Sequence, residues 1–499
     1  MESLTDEVET VKAIVGRFFP IYEVRVRPEA IAFYIRIDSY LLDEKFEGLR
    51  QELKGRQYIP ILRQEGGEHI LFIQRKPKAK VRGPILNLIL LIATVASTVY
   101  AGMLLWASTY GQGSNLYTLS NIVNASIFFA LPLMAILGTH EMGHYIVAKR
   151  HGVAASLPFF IPAPLTLIGT LGALISMREP IPNKKALLDI GIAGPLAGLA
   201  VAFPITLIGL YMNALDPRFA GPNIGGGISI NLPLIYTFLL YLVPLPNGAL
   251  LHPTAFAGWV GFFVTAINLL PAGQLDGGHV ARALLGEKSR YLSYAAFLTL
   301  LILGFMFFFS WLILAFFVLL IGLKHPPPLN DISEIHVGRK SLGFAVLIVL
   351  ILSFTLEPLV QIPVETDFEF RTWEDPELLI PIDDETGIAF DSAILAANRS
   401  AVYMFFINNT GNVKLQIALH ISAINLPEWD MSFTSVAGRD VGADNVTISL
   451  NAQESASVIV QIEAPFDTAT GQEVTIDILG ETTGGSPGTD KKLNLNVST

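Results

Sequence analysis

Gly138-Thr-His-Glu-Met-Gly-His-Tyr145 sets two histidines and a carboxylate inside a stretch otherwise apolar enough to sit in lipid. His140 and His144 are four apart. On a helix both imidazoles then lie on one face, one turn and roughly 6 Å apart, which suits two corners of a zinc tetrahedron. Glu141 stands beside the first histidine, and the pattern H-E-x-x-H makes it the candidate general base of a metallopeptidase. The competing reading is a chance match. A charged side chain between two histidines at membrane depth is costly without a purpose, which favours a Zn²⁺ site.

The surrounding chain is that of a polytopic membrane protein. Its 499 residues are 52% hydrophobic with a mean hydropathy of +0.51, too apolar for a soluble protein of several domains. The absence of cysteine excludes disulfides, thiolate zinc sites and cysteine nucleophiles, so a metal must be held by His, Asp or Glu. The net charge of -10 is uneven: from residue 361 onward there are 21 acidic and 6 basic residues, leaving the preceding part basic. A basic part and an acidic part suggest two sides of a membrane.

Residues 1–82 contain neither a spanning segment nor the basic-then-apolar start of a signal peptide, and read as a small α/β domain. Alternation in Tyr22–Arg27 and Ile31–Ile37 predicts strands, Leu42–Gly55 has helical spacing, and Ile59–Gln74 reads as a hairpin around Glu65-Gly-Gly-Glu68. Lys76, Lys78, Lys80 and Arg82 precede the first span and hold this domain in the cytoplasm by the positive-inside rule. A basic stripe for nucleic acid is the weaker alternative, and no nucleic-acid partner is expected.

Spans are expected at Ile85–Ala107 and from Ile122 to Lys149, the second ending inside and carrying the motif within the bilayer near the cytoplasmic face. Residues 153–178 are apolar but hold Pro158, Pro162, Pro164 and Gly169-Thr-Leu-Gly-Ala173, a poor helix that reads as a re-entrant hairpin. A third span, Ala186–Met212, contains Gly191, Gly194, Pro195 and Gly198, whose small residues point to close helix packing. Asp189 reads as an interfacial or capping carboxylate and not as a ligand. Leu232–Val243 is too short to span, whereas Ala255–Leu270 spans and leads into Asn268-Leu-Leu-Pro-Ala-Gly-Gln-Leu-Asp-Gly-Gly-His279. Asp276 is the candidate third metal ligand; His279 is close enough to be a ligand as well, but an interfacial histidine or a neighbour of the ligands is the favoured reading.

The apolar run 291–323, flanked on both sides by basic residues, reads as a helical hairpin; His325-Pro-Pro-Pro328 stops it, and Leu342–Val360 is the last span. Seven spans result, with the N-terminus cytoplasmic and everything after 362 extracytoplasmic. Sequons at Asn398, Asn408, Asn445 and Asn496 fit that side. Short strands with turn signals from about 385 predict a β-sandwich similar to Ig-like accessory domains of microbial surface proteins, used for binding or spacing. The expected division is thus 1–82, a membrane domain 83–362, and a sandwich 363–499.

From about 84 to 342 the chain resembles site-2 proteases, intramembrane zinc metalloproteases that cut helical membrane substrates to release a regulatory domain. The resemblance rests on His140-Glu-Met-Gly-His144, Gly194-Pro-Leu-Ala-Gly198 within the third span, and Asn268-Leu-Leu-Pro271 leading to Leu275-Asp-Gly277. His325-Pro-Pro-Pro-Leu-Asn-Asp331 and the preceding domain look most like the archaeal and plastid-type branch, and there is no recognisable PDZ insertion. The resemblance implies regulated intramembrane proteolysis of transmembrane protein substrates within the lipid bilayer, with Zn²⁺ on His140, His144 and Asp276 and Glu141 as base. Asn268 would hold substrate or oxyanion, and the hairpin edge at Gly169, Thr170 and Gly172 would receive an unwound substrate strand. Two other classes stay open at this level. A CAAX-type zinc peptidase needs a downstream glutamate ligand, and a metal transporter or receptor has no need of Glu141.

Overall fold

Pro132 cannot donate a backbone hydrogen bond, and the computed structural model shows how the helix carrying the motif accommodates it. The helical run Leu119–Arg150 passes through a π-helical turn at Ser126–Ala130. The Phe128 carbonyl, which residue 132 would engage in a regular α-helix, accepts a hydrogen bond from the Thr254 hydroxyl at 2.7 Å. The structure describes residues 2–498 except 28–29, 39, 77–82, 111–115, 217–218, 220–226, 246–248, 363–365, 373–381, 384–387, 395–399, 423–428, 464, 466–472 and 483–490. Lys78, Lys80, Arg82 and Asn398 therefore lie outside the described residues.

Three helices form the centre of the membrane segment: the motif helix Leu131–Arg150, the core helix Lys184–Leu215 and the helix Pro253–Leu269. Missing side chains let their backbones touch. A Cβ on Gly143 would lie 2.6 Å from the Ala193 carbonyl, and one on Gly209 would lie 2.2 Å from the Ala255 nitrogen. The core helix starts where Asn183 Oδ1 accepts from the Ala186 N–H at 2.8 Å. Residues 155–177 are not helical. Strands Phe159–Pro162 and Thr170–Leu174 pair antiparallel, forming the expected hairpin.

Among the described residues, four helical runs are long and apolar enough to cross a membrane: Pro84–Ala107, Leu119–Arg150, Lys184–Leu215 and Asp276–Met306. Pro253–Leu269 and Ser310–Ile321 are apolar but shorter. Four of the seven expected spans thus contain, among the described residues, a helical run that meets this length and composition. The stretch expected to be a helical hairpin is two helices, Ser289–Met306 and Ser310–Ile321, broken at Phe307. Gly304 lets them close, since a Cβ there would lie 2.5 Å from Leu312 Cδ2. Leu234–Leu242 is a helix of only 9 residues, short as the sequence predicted.

The N-terminal residues form a four-stranded antiparallel sheet ordered Ile21–Val26, Ile31–Ile35, Glu68–Arg75, Tyr58–Glu65. Gly66 and Gly67, both at positive φ, make the tight turn of the last hairpin with Glu65 opposite Glu68. Helix Leu42–Lys54 and a further helix, Glu2–Phe18, pack on the sheet through Phe46, Leu49, Leu53, Val11 and Ile14. Leu329, from far along the chain, completes that core. The edge strand is bound there too: the Leu62 N–H donates to the Leu329 carbonyl at 2.8 Å, and the Leu329 and Asn330 N–H groups donate to Ile181 and Pro182. Glu179 accepts from Lys54 at 2.9 Å and from Lys76 at 2.6 Å.

The chain divides into two compact units, and residues 223–230 with 359–499 form the second. That unit contains a six-stranded and a five-stranded sheet. Phe370, Tyr403 and Phe405 of one sheet and Ile417, Leu419 and Ile476 of the other share one apolar core, so the sheets pack face to face.

Candidate metal centre

His140 and His144, one turn apart on the motif helix, are both buried. Asp276 reaches them from a different part of the chain. Pro271 follows the end of the helix Pro253–Leu269, the chain turns at Gly273 with φ +55°, and a new helix begins at Asp276 itself. Gly277 makes this turn possible. A Cβ there would lie 2.0 Å from the Leu269 carbonyl.

The three donor atoms converge. Asp276 Oδ2 is 3.3 Å from His140 Nε2 and 3.2 Å from His144 Nε2, and the two Nε2 atoms are 3.3 Å apart. Donors held about 2.0–2.1 Å from one tetrahedral ion are separated by about 3.3–3.4 Å, so the triangle fits a zinc-sized cation. Among the described residues this is the one group of three or more His, Cys, Asp or Glu that could hold a metal. The His144 ring is fixed from behind, its Nδ1 donating to the Ile190 carbonyl at 2.7 Å, which leaves Nε2 free to coordinate.

The core helix is the seat of both rings. A Cβ on Gly194 would lie 2.0 Å from His144 Nε2, and one on Gly198 would lie 3.2 Å from His140 Nδ1. A Cβ on Gly191 would lie 2.7 Å from the Cβ of His279. The glycine spacing was visible in the sequence as a helix-packing signal. That the partner surface consists of the ligand imidazoles was not, because nothing in the core helix names the residues opposite it. Asp189 is not one of the converging donors; it pairs with His151 and Arg339 at 3.0 Å each.

A cavity of about 410 Å³ opens on this centre, lined by His140, Glu141, His144, Asn268, Asp276 and His279 and by residues 173–177. Glu141 is buried in its wall. Asn268 Nδ2 stands 3.3 Å from His140 Nε2. The other residues expected to bind substrate lie beside the cavity, not in its lining. Gly169, at φ +77°, abuts Ser97 of the first span, whose hydroxyl donates to the Gly169 carbonyl at 2.6 Å. Thr170 is buried, its hydroxyl donating to the Ile161 carbonyl, while the Cβ position of Gly172 is open. The strand Thr170–Leu174 runs on into residues 175–177, and residues 173–177 form a cavity wall whose role the sequence did not reveal.

Fold and centre together bring an H-E-x-x-H motif and a distant aspartate into one candidate metal centre among helices apolar enough to cross a membrane. Residues 128–312 match the sequence profile of Peptidase family M50, in line with the site-2 protease family that the motifs of this stretch resemble. A protein of Oryza sativa subsp. japonica named "Probable zinc metalloprotease EGY1, chloroplastic" is 29% identical over 325 residues, covering 59% of this chain and 55% of that protein. Its Arabidopsis thaliana namesake is 32% identical over 240 residues, covering 46% and 43%. "Probable zinc metalloprotease EGY2, chloroplastic" of Oryza sativa subsp. indica is 30% identical over 273 residues, covering 50% and 47%. The chain spans about half the length of the curated relatives it matches.

Proposed function

We propose that the protein is an intramembrane zinc metalloprotease that hydrolyses peptide bonds within or near transmembrane helices of other membrane proteins. The observation that carries the proposal is the meeting of three donor atoms, a buried glutamate and an amide in one cavity among apolar helices. His140, His144 and Asp276 hold the ion. Zn²⁺ bound there supplies Lewis-acid polarisation of the scissile carbonyl and an acidified water.

The chain's own groups do the rest. Glu141 takes the proton of the attacking water and returns it to the leaving amine. The Asn268 amide donates to the substrate carbonyl, where negative charge develops. Because the carbonyls of a helical substrate are already hydrogen-bonded, the substrate must unwind, and the outer edge of the strand Thr170–Leu174 offers main-chain partners to the extended segment. Gly169, Thr170 and Gly172 act in that edge: Gly169 seats it on the first span, Thr170 fixes its turn, and Gly172 keeps its surface open. The cell membrane is the site of action, with seven spans, a cytoplasmic N-terminal domain, and an Ig-like extracytoplasmic sandwich that serves in binding or spacing.

A CAAX-type peptidase would require a glutamate as third ligand, and the donor that meets the histidines is Asp276. The deciding experiment is purified protein in lipid vesicles with a model transmembrane substrate, with and without a zinc chelator. Cleavage inside the span, abolished by the chelator and restored by zinc, is expected. Zinc binding without cleavage of any such substrate would point to a receptor or transporter.

A further inference from the structure

The helix that begins with Asp276 is pinned at two places. At its start, Gly277 and Gly278 let it sit against the carbonyls of Leu269 and Gly273. One and a half turns on, the nearly fully buried Arg282 donates through Nη2 to Asp331 Oδ2 at 2.6 Å. Asp331 Oδ1 is 3.8 Å from Lys184 Nζ at the first residue of the core helix, whose glycines seat both histidines. Asp331 therefore stands between the helix that supplies one ligand and the helix that seats the other two.

Asp331 is in turn held by its neighbours in the chain. Asn330 is fully buried, its Oδ1 accepting from the N–H groups of Ile332 and Ser333. Leu329 is part of the N-terminal domain's core, and its backbone bridges the edge strand at Leu62 to Ile181. Arg63 of that edge strand donates to the carbonyls of Pro328 and Leu329 at 2.9 and 3.0 Å. The N-terminal domain thus grips the segment that carries Asp331.

We propose that Asp331 is a positioning residue for the metal centre, acting on Asp276 through Arg282, and that the N-terminal domain sets its place through Leu329. The inference rests on the zinc reading above and adds a dependence of that site on the N-terminal domain. A rigid tether matters because a ligand displaced by a few tenths of an ångström leaves the triangle that the ion needs.

The test uses the full chain in detergent, with zinc affinity measured by competition against a chromophoric chelator and amide exchange of residues 276–285 followed in zinc-free protein. Asp331→Asn leaves the Arg282 charge buried without its partner and is expected to lower zinc affinity about tenfold or more. Because that variant alone could be unstable, Arg282→Met combined with Asp331→Leu removes both charges together, which buried pairs tolerate without loss of fold. The double variant is expected to melt near the parent temperature, yet to bind zinc about tenfold more weakly and exchange faster at 276–285. Leu329→Ala is expected to shift affinity and exchange in the same direction. Parent-like affinity and exchange in the folded double variant would overturn the positioning role, and a parent-like Leu329→Ala would detach the N-terminal domain from it. If the parent protein itself bound no zinc, the proposed function would fail instead.

Discussion

Gly194 faces His144 so closely that a methyl group built on it would lie 2.0 Å from the imidazole Nε2, the atom that points toward Asp276. The ring cannot swing away without losing the bond from its Nδ1 to Ile190. Gly194→Ala is therefore expected to dislodge a metal ligand from the distance of a helix surface, with at least a tenfold loss of zinc affinity. Metal analysis of the purified variant checks this; full zinc content would mean that the two helices slide apart to make room.

Asp276→Ala removes the carboxylate that completes the triangle and should leave the purified protein with little of its zinc. The measurement is zinc per chain after dialysis. Undiminished zinc would place the third ligand elsewhere.

Glu141→Gln separates chemistry from binding. Glu141 lines the cavity but is not one of the three converging donors, so zinc content and fold should stay close to the parent while the proton acceptor is lost. Cleavage of a transmembrane substrate should fall by a factor of about 10² to 10⁴. Parent-like turnover would rule out the proposed mechanism.

Glu179 ties the N-terminal domain to the chain that lines the cavity. Burial raises its pKa, but the hydrogen bonds from Lys76 and Lys54 outweigh that effect and bring it down to about 2. A carboxyl whose folded pKa is depressed stabilises the fold above its unfolded pKa, near 4.5, and loses that contribution as pH falls toward 2. Glu179→Gln should cost on the order of 2 kcal/mol, after allowance for solvent screening, in denaturant unfolding at pH 7, and nothing below about pH 2. A penalty independent of pH would assign the effect to packing.

Because the chain contains no cysteine, single introduced thiols report sidedness without background. Glu9→Cys and Glu287→Cys, both at exposed positions, should react with an impermeant maleimide only from the cytoplasmic side, and Asp440→Cys only from the outside. Glu287 and Asp440 reacting from one side would require the spans after 290 to be redrawn.

Much of the site was legible because its chemistry is local or unusual. His140, Glu141 and His144 need only one helical turn, and Asp276 is conspicuous as an acid in apolar surroundings. The hairpin at 155–177 was readable because prolines and glycines forbid a helix there. What escaped depends on which surfaces meet. The glycines under the imidazoles, the Ile190 carbonyl behind His144 and the wall at residues 173–177 are defined by neighbours distant in sequence. The helix Glu2–Phe18 was a different miss. Val11, Ile14, Val15 and Phe18 recur at helical spacing, a signal present but masked by many polar residues. The span count depended on adding up short apolar runs, and a helix such as Pro253–Leu269, at 17 residues, is too brief for hydropathy alone to decide.

Leu329 gives the molecule an order of assembly. The N-terminal domain is synthesised before the membrane segment, yet the leucine that fills its core follows Arg63 by 266 residues, after most of that segment has been made. Until then the nascent domain has an apolar hole worth about 1.5–3 kcal/mol, the free energy of burying one leucine. The core as the folded chain shows it cannot be complete before the segment through Leu329 has been made. Its final closure therefore reports that the segment through Leu329 has been completed.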